Sequence, residues 1–349
     1  MSWSLALAAV ILTGAGCFGG EKATTNASGG MWRSPNGGES WVETNTLLVA
    51  PENGSIAVAD ILAIERDPQD ASAVFLATRG NGIMMSRDGG VSWSRPNEAI
   101  VRDGTVLDVE VDPKDICTLY ALKADRVVRS TTCGRTWESE RYLETQPGVT
   151  LTALALDWYN AGTVYVGNSE GAIVKSADGG APWARLTDLR YPVSALEVSN
   201  ADSRVVLAAT SRKGMYRTAD GGLTWESLEE SFEKFREADR VSHIAQSTDG
   251  KSLAIATQYG IFRSTDIGVT WQPLPLVSAA GDVAITALAV APKHNDVLYY
   301  GTSDSIVQTL NAGTTWTVAG SPTTRAIGTI LVDDIDPEQI QVGLKNLEK

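Results

Sequence analysis

Histidine and cysteine are scarce in this chain of 349 residues, which has 2 His and 3 Cys. His243 and His294 stand far apart and neither precedes metal-ligand spacing, which argues against a zinc site and a serine–histidine triad. Surplus positive charge is also missing, since the net charge is −13, and this argues against a surface for nucleic-acid phosphates. No glycine-rich phosphate cradle follows a strand. We expect no metal, no cofactor and no nucleic-acid partner.

A membrane-spanning apolar run is absent, but a shorter one opens the chain. Residues 4–16, SLALAAVILTGAG, are too few to span a bilayer and end in small residues before Cys17, as in a secretion signal. The ending Gly-Ala-Gly-Cys resembles a bacterial lipobox, in which Cys17 would be acylated. An ordinary cleaved signal or a membrane-retained N-terminus remains the alternative.

These features predict the organisation of the whole chain. Residues 18–30 are small and polar, which suits a flexible tether. We predict a signal peptide with a lipobox-like end at 1–17, a tether at 18–30 and a folded body at 31–349. The protein would be exported to a bacterial cell envelope, as a lipoprotein whose only membrane contact is the Cys17 lipid, or as a periplasmic or extracellular protein.

One short motif recurs seven times. In one copy it reads Ser264-x-Asp266-x-Gly268-x-Thr270-Trp271. Successive copies are 52, 44, 46, 42, 46 and 45 residues apart, a period that matches four short strands with their turns. The copies start and end at Ser34 and Trp41, Ser86 and Trp93, Ser130 and Trp137, Ser176 and Trp183, Thr218 and Trp225, Ser264 and Trp271, and Thr309 and Trp316. The repeat predicts an all-β fold, a seven-bladed β-propeller of four-stranded antiparallel blades.

The motif residues have structural roles in a turn between the third and fourth strands. The third position is an acceptor for turn amides, the glycines allow positive φ, and the Trp can be buried between blades. A carboxylate fills the third position as Asp88, Asp178, Asp220 and Asp266, whereas Asn36, Asn311 and Thr132 replace it elsewhere. Because an amide or hydroxyl suffices, we interpret the motif as a structural staple and not as a catalytic acid.

The two ends of the chain are predicted to share one blade. The first motif is preceded only by GGMWRS, enough for a third strand, while 327–334 and 340–346 supply a first and a second strand. Such a shared blade would close the ring and remove free sheet edges.

The seven motifs resemble the Asp-boxes, or bacterial neuraminidase repeats, of sialidases, xyloglucanases, sortilin-type receptors and the photosystem II assembly and stability factor. The resemblance covers residues 31–346 and implies a propeller. A relationship to the assembly factor would imply a scaffold that holds a protein intermediate. A relationship to the enzymes would imply glycoside hydrolysis.

Two further segments carry predictions. Cys117 and Cys133 flank two apolar runs joined by a turn at 124–125, so a hairpin would bring them opposite each other as a disulfide, with two buried free thiols as the alternative. Residues 226–240 place Leu228, Phe232 and Phe235 at helical spacing, which predicts a short amphipathic helix that packs on the propeller or binds a partner.

A catalytic set cannot be assigned from the sequence. The WRSP stretch at 32–35 is similar to an arginine motif of sialidases, but Arg33 falls on a third strand, where other blades have Arg129, Lys175, Arg217 and Arg263. We interpret this position as a repeated solvated face. No carboxylate pair with the spacing of a glycosidase is evident.

Recognition is expected on the rim opposite the boxes, in the loops that join strands two and three and successive blades. The candidate binding residues there are Arg79, Asn81, Asn168, Glu170, Arg212, Lys213, Gln258, Tyr259 and Asp304. We predict a non-catalytic scaffold that binds a protein or envelope component. The alternative is a glycoside hydrolase or glycan-binding protein.

Overall fold

The computed structural model describes residues 28–347, which form a ring of β-sheets. The predicted signal peptide, Cys17 and the tether up to residue 27 lie outside the described residues. The strands are β1 (Met31–Ser34), β2 (Val42–Glu43), β3 (Thr46–Leu47), β4 (Gly54–Ser55), β5 (Asp60–Arg66), β6 (Val74–Arg79), β7 (Gly82–Ser86), β8 (Ser92–Trp93), β9 (Asp108–Val111), β10 (Leu119–Leu122), β11 (Arg126–Ser130), β12 (Glu138–Leu143), β13 (Leu151–Leu156), β14 (Val164–Asn168), β15 (Ala172–Ser176), β16 (Ala184–Asp188), β17 (Val193–Val198), β18 (Val206–Thr210), β19 (Met215–Thr218), β20 (Glu226–Ser227), β21 (Val241–Gln246), β22 (Leu253–Thr257), β23 (Ile261–Ser264), β24 (Gln272–Pro273), β25 (Ala287–Val290), β26 (Leu298–Gly301), β27 (Ser305–Thr309), β28 (Thr317–Gly320), β29 (Ala326–Val332) and β30 (Ile340–Lys345).

Blades 2 to 6 are each an antiparallel sheet of four consecutive strands. Blade 1 is β5–β8, blade 2 is β9–β12, blade 3 is β13–β16, blade 4 is β17–β20, blade 5 is β21–β24, blade 6 is β25–β28, and blade 7 combines β29, β30, β1 and β2. The outermost strand of blade 1 is displaced: β8 pairs with β3 in a small separate sheet, and Ser94, the residue after β8, forms a single bridge with Met85 of β7. Six sheets are therefore four-stranded.

The blades are arranged around a central channel. The innermost strands of successive blades contact one another in the cyclic order β5, β9, β13, β17, β21, β25, β29 and back to β5. Seven hydrophobic clusters are buried, each between two neighbouring blades. The propeller fold is confirmed, and this cyclic order is consistent with the predicted seven blades.

Blade 7 joins the two ends of the described chain. Trp32 of β1 pairs with Val342 of β30, and β29 pairs with the other edge of β30. Just before β1, the N–H groups of Gly29 and Gly30 donate to the carbonyls of Ala57 and Ala59 at 2.6 and 3.2 Å. The predicted closure by a shared blade is confirmed.

The insertion at 226–240 does not form the predicted helix. Only a single 3₁₀ turn is present, at Glu229–Ser231. Phe232 and Phe235 instead make edge contacts with Phe262, with ring centroids 5.3 and 5.1 Å apart, and Leu228 is buried in the same cluster. Burial of these apolar side chains in the cluster between blades 4 and 5 outweighs the weak local preference for a helix.

Helices contribute little elsewhere in the described part of the chain. The α-helix α1 spans Ala99–Arg102. Among residues 28–347 there is no helix with the length and apolarity needed to cross a membrane.

Candidate functional site

Strand direction sorts the loops of the propeller into two rims. Because the strands of a blade alternate in direction, the boxes lie at the end where first strands pass into second strands. We call this the box rim. The loops between second and third strands and between successive blades lie at the opposite rim.

Each box is closed by hydrogen bonds between its own residues. In blade 1, the Ser86 hydroxyl donates to Asp88 Oδ1 at 2.7 Å and accepts from the Gly90 N–H at 2.8 Å. Asp88 Oδ1 also accepts from the Ser92 N–H at 2.9 Å, and its Oδ2 accepts from the Ser92 hydroxyl at 2.6 Å. Burial alone would raise the pKa of Asp88, but these hydrogen bonds outweigh it and lower the pKa to about 2.

The substituted boxes keep the backbone contact. Asn36 Oδ1 accepts from the Ser40 N–H at 3.0 Å, and Asn311 Oδ1 accepts from the Thr315 N–H at 2.8 Å. In blade 2 the hydroxyl of Thr132 accepts from the Thr136 N–H at 2.8 Å. The three replacements therefore preserve the turn.

The box tryptophans join neighbouring blades in several places. The Trp93 indole donates to the carbonyl of Thr44 at 2.7 Å, and the Trp183 indole donates to that of Arg141 at 2.7 Å. The Trp316 indole likewise reaches the Pro275 carbonyl at 2.6 Å. In blades 2, 4 and 5 the indole instead donates to a glycine carbonyl of its own box.

Side chains of one blade also bind the box of the next blade. The guanidinium of Arg129 donates to Gly179 O at 3.1 Å, and that of Arg217 donates to Ile267 O at 3.1 Å. The ammonium of Lys175 lies 3.5 Å from Gly221 O. Each acceptor is the carbonyl of the fourth box residue. The third-strand cations of these three blades are therefore contacts between blades and not a solvated face.

The disulfide cysteines lie at the end of a hairpin in blade 2. Cys117 and Cys133 are joined by a disulfide, and the Cys133 N–H donates to Cys117 O at 2.9 Å. Cys133 is the fourth residue of its box, so the bond ties the box to the loop before β10.

Several candidate residues of the opposite rim have internal partners. Asn168 is buried, and its Oδ1 accepts from the N–H groups of Glu170 and Ala172 at 3.1 and 2.9 Å, which closes the turn between β14 and β15. Asp304 Oδ1 likewise accepts from the hydroxyls of Thr302 and Ser305. These two side chains serve the turns in which they lie.

The candidates near blade 5 are also engaged. Lys213 forms an ion pair with Glu229 at 2.7 Å. Gln258 Oε1 accepts from the Arg240 guanidinium at 2.8 Å, and the ring of Tyr259 packs against Phe235 with centroids 5.1 Å apart. The structure thus brings Gln258 and Tyr259 beside the insertion, which the sequence did not relate to them.

The remaining candidates are spread around the opposite rim. Arg79 Nε lies 3.9 Å from Asp60 Oδ2, and the Asn81 amide donates to Arg79 O at 3.3 Å. The exposed side chains of Glu170 and Arg212 make no hydrogen bond or ion pair with any residue of 28–347. The rim candidates therefore do not form a single cluster.

A cavity opens on this rim between blades 4, 5 and 6. Its volume is about 480 Å³. Arg240 and Gln258 supply its polar groups together with Ser211, and Val283 and Ile285 supply apolar wall. It is large enough for a few side chains of a partner.

The central channel holds a group of acidic side chains that the sequence analysis missed. A cavity of about 320 Å³ there is lined by Asp108, Glu110, Glu197 and His243. Glu65, Glu110 and Glu197 occupy the same position on the first strands of their blades, since each pairs with the equivalent residue of the second strand: Phe75, Tyr120 and Leu207. Acids at matching positions of three first strands were the signal available in the sequence.

These channel acids keep their protons to a higher pH than ordinary carboxyl groups do. Burial is the largest cause and raises the pKa of Glu197 to about 7, although a hydrogen bond from the Gln246 amide opposes it. Burial and then the charges of neighbouring acids also raise the pKa of Glu65 and Glu110. Burial and the nearby Lys345 lower the pKa of His243 to about 4, so this imidazole is neutral at pH 7.

The channel acids do not have the arrangement of a metal centre. Among the described residues no group of three His, Cys, Asp or Glu side chains could hold a metal ion. The channel can supply protonated carboxyls as hydrogen-bond donors, and a carboxyl with a raised pKa is also suited to general acid chemistry.

The fold and the seven boxes define the class of this protein as an Asp-box β-propeller. Residues 97–280 match the family described as photosynthesis system II assembly factor YCF48. This match covers more than half of the chain, and the protein belongs to that family.

Other relatives are larger glycosidases. Xyloglucanase Xgh74A of Acetivibrio thermocellus is 27% identical over 246 residues, which cover 57% of this chain and 29% of that enzyme. The chain thus spans less than a third of the length of the curated relative that it matches.

Solved structures with both descriptions share the fold. The GH74 enzyme of Niastella koreensis superposes with a TM-score of 0.68 at 16% identity, covering 82% of this chain and 51% of that one. A structure described as YCF48 bound to D1 peptide superposes with a TM-score of 0.62 at 17% identity, covering 82% of this chain and 94% of that one. At these identities the similarity establishes the fold alone.

Proposed function

We propose that this protein is a non-catalytic scaffold that binds a segment of another protein outside the cytoplasm and is held at the cell envelope through a lipid on Cys17. The observation that carries the proposal is the family match over residues 97–280. A related structure of nearly equal length contains a bound peptide, which supports a protein ligand for this chain as well.

The opposite rim is the proposed contact surface. Arg212 is exposed there without an internal partner among residues 28–347, and the cavity beside Arg240 and Gln258 offers both polar and apolar groups. Peripheral charges of this kind chiefly affect association rate and partner choice, whereas a partly apolar cavity can provide affinity.

The test is an affinity capture with the full chain and two charge-reversal variants. Arg212→Glu changes the opposite rim, and Arg135→Glu changes an exposed arginine of a box as the matched control. Detergent-solubilised envelope of the source cells is passed over each. A protein retained by the wild type and by Arg135→Glu but lost with Arg212→Glu supports the proposal. If no protein is retained by any of the three, the scaffold function is wrong.

The channel acids favour a second candidate function, glycoside hydrolysis. Glycosidases need one protonated and one ionised carboxyl close together, and burial gives the channel several carboxyls of raised pKa. The test is release of reducing ends from xyloglucan oligosaccharides. Turnover that Glu197→Gln abolishes would support this function at the channel acids. Turnover that persists in Glu197→Gln would exclude Glu197 as its catalytic acid, and no turnover in the wild type counts against the function.

A further inference from the structure

A second cavity lies on the box rim, between blade 7 and blade 1. Its volume is about 410 Å³. One wall is a row of directly paired residues that crosses blade 7: Leu331, Gln341, Arg33 and Val42 on β29, β30, β1 and β2. Directly paired residues point to the same face of a sheet, so the four side chains face blade 1. Val91 of the blade 1 box and Arg66 of β5 line the facing wall.

The cavity exists because blade 7 differs from the other blades at the second strand. In blade 7, Gln341 is the second-strand residue that pairs with the third-strand residue just before the box, Arg33. At this position blades 1 to 6 have Phe75, Tyr120, Tyr165, Leu207, Ala254 and Tyr299. Five of these six are large, and all six are buried in the clusters between blades. A glutamine fills less of this space, and it cannot supply an apolar ring or branched chain to the next blade.

Gln341, which lines this cavity, has one unused hydrogen-bonding atom. Its Nε2 donates to Gly89 O at 3.1 Å, and its Oε1 is buried without a partner. The residue is only 8% exposed. A buried acceptor without a donor is destabilising, so a ligand that donates a hydrogen bond here would remove that cost.

The glutamine at position 341 also leaves the Arg33 guanidinium without a partner. In blades 2, 3 and 4 the corresponding Arg or Lys donates to the fourth residue of the next box. In blade 7 that carbonyl, Gly89 O, is occupied by Gln341. The Arg33 guanidinium consequently has no hydrogen bond or ion pair with any residue of 28–347, whereas Arg66 on the facing wall is paired with Asp333 at 3.2 Å.

We propose that this cavity binds an acidic peptide segment, with a carboxylate on the Arg33 guanidinium and a neighbouring peptide N–H on Gln341 Oε1. Guanidinium binds carboxylate through two parallel hydrogen bonds. Val42 and Val91 are 61% and 48% exposed, and they offer a surface for an aliphatic side chain beside the acid. None of the described residues that line the cavity is aromatic, which favours a peptide over a sugar ring. The site is on the rim away from Arg212 and is independent of the scaffold surface proposed above.

The test uses two blocked peptides, Val-Glu-Val and Val-Gln-Val, titrated into the full chain by NMR or calorimetry. The wild type is expected to bind the Glu peptide at least about tenfold more tightly than the Gln peptide, as the loss of one charged hydrogen-bond pair implies. Arg33→Gln should abolish that difference without lowering the melting temperature, because Arg33 has no internal partner. Arg135→Gln changes an exposed arginine of the blade 2 box; it is the matched control and should leave both affinities unchanged.

Each other outcome overturns the inference. Equal affinities for the two peptides in the wild type, or a preference that persists in Arg33→Gln, excludes Arg33 as the carboxylate site. Tighter binding of an oligogalacturonate, lost in Arg33→Gln, would assign the cavity to an acidic glycan instead. Loss of the peptide in a third variant, Arg212→Gln, while Arg33→Gln still binds it, would place the peptide on the opposite rim, which overturns this inference but leaves the proposed scaffold function intact.

Discussion

Asp88 in a box and Glu197 in the channel carry the same carboxyl group in opposite environments. Asp88 lies near solvent and accepts hydrogen bonds from the Ser86 hydroxyl and from both the backbone and side chain of Ser92, and its pKa is lowered to about 2. Glu197 faces a narrow channel, and burial raises its pKa to about 7. Hydrogen-bond donors, and not exposure alone, decide which carboxylates hold the propeller together and which remain available as protonated groups.

The largest expected effect concerns the channel as a whole. Since burial raises the folded-state pKa of the channel acids above their unfolded values, the folded state keeps protons that the unfolded chain has lost, and stability falls as pH rises. His243, with its lowered pKa, acts in the other direction only below about pH 6.5. From pH 6.5 to 9 we expect the free energy of unfolding to decrease by roughly 3 kcal/mol, measured by urea unfolding. A constant or rising value would contradict the protonated channel.

A single substitution should isolate the contribution of one channel acid to the free energy of unfolding. Glu197→Gln keeps an acceptor for the Gln246 amide and removes the charge that burial disfavours. We expect it to stabilise the protein by about 2 kcal/mol at pH 8 and by much less at pH 3.5, which lies below the pKa of Glu197 in either state. The two urea midpoints check this, and an equal gain at both pH values would show that the effect is not electrostatic.

Removal of a box carboxylate should destabilise the protein, which is the opposite of the effect expected for Glu197→Gln. Asp88→Ala removes acceptors for Ser86 and Ser92, and we expect a loss of about 1–2 kcal/mol at pH 7, discounted for solvent exposure. Because the folded-state pKa of Asp88 lies below the unfolded value of 3.8, its contribution is present above that value and is lost as pH falls through about 2. The difference in melting temperature between the variant and wild type should therefore be smaller at acid pH than at pH 7, and the part that remains is the contribution of a neutral acceptor. An unchanged difference would refute the role of the charge.

The smallest effect is expected when the box keeps an acceptor. Asp88→Asn should change the free energy of unfolding by less than about 0.5 kcal/mol, because Asn36 and Asn311 already bind the same backbone N–H in their boxes. Urea unfolding of Asp88→Asn and of Asp88→Ala measures the two losses side by side. A loss as large as that of alanine would mean that ionisation, and not hydrogen bonding, is required.

Local patterns predicted the parts of this molecule that depend on local chemistry. The box recurs with its Trp in every copy, and the sharing of blade 7 between β1 and β30 follows from counting the strands at each end. The predicted helix at 226–240 was wrong because Phe232 and Phe235 are drawn into contact with Phe262, a residue of another blade. Helical spacing alone does not reveal that competing contact.

The sites depend on relations between blades, which a linear pattern expresses poorly. Glu65, Glu110 and Glu197 become one group only when the first strands of blades 1, 2 and 4 are placed around the same channel. Arg33 was interpreted as one of a repeated set, and its difference from Arg129 depends on Gln341, which lies at the other end of the chain and takes the neighbouring carbonyl. Aligning the second strands as well as the boxes would have exposed that exchange.

The pairing of β1 with β30 delays closure of the ring until late in synthesis and folding. A ribosome makes β1 among the first strands of the described chain and β30 last, so blade 7 cannot assemble until nearly all of the chain has emerged. Until then the first and sixth blades each expose a face that is later covered. Such distant pairing makes closure a late step, during which a chaperone or a second chain could occupy the unfilled place.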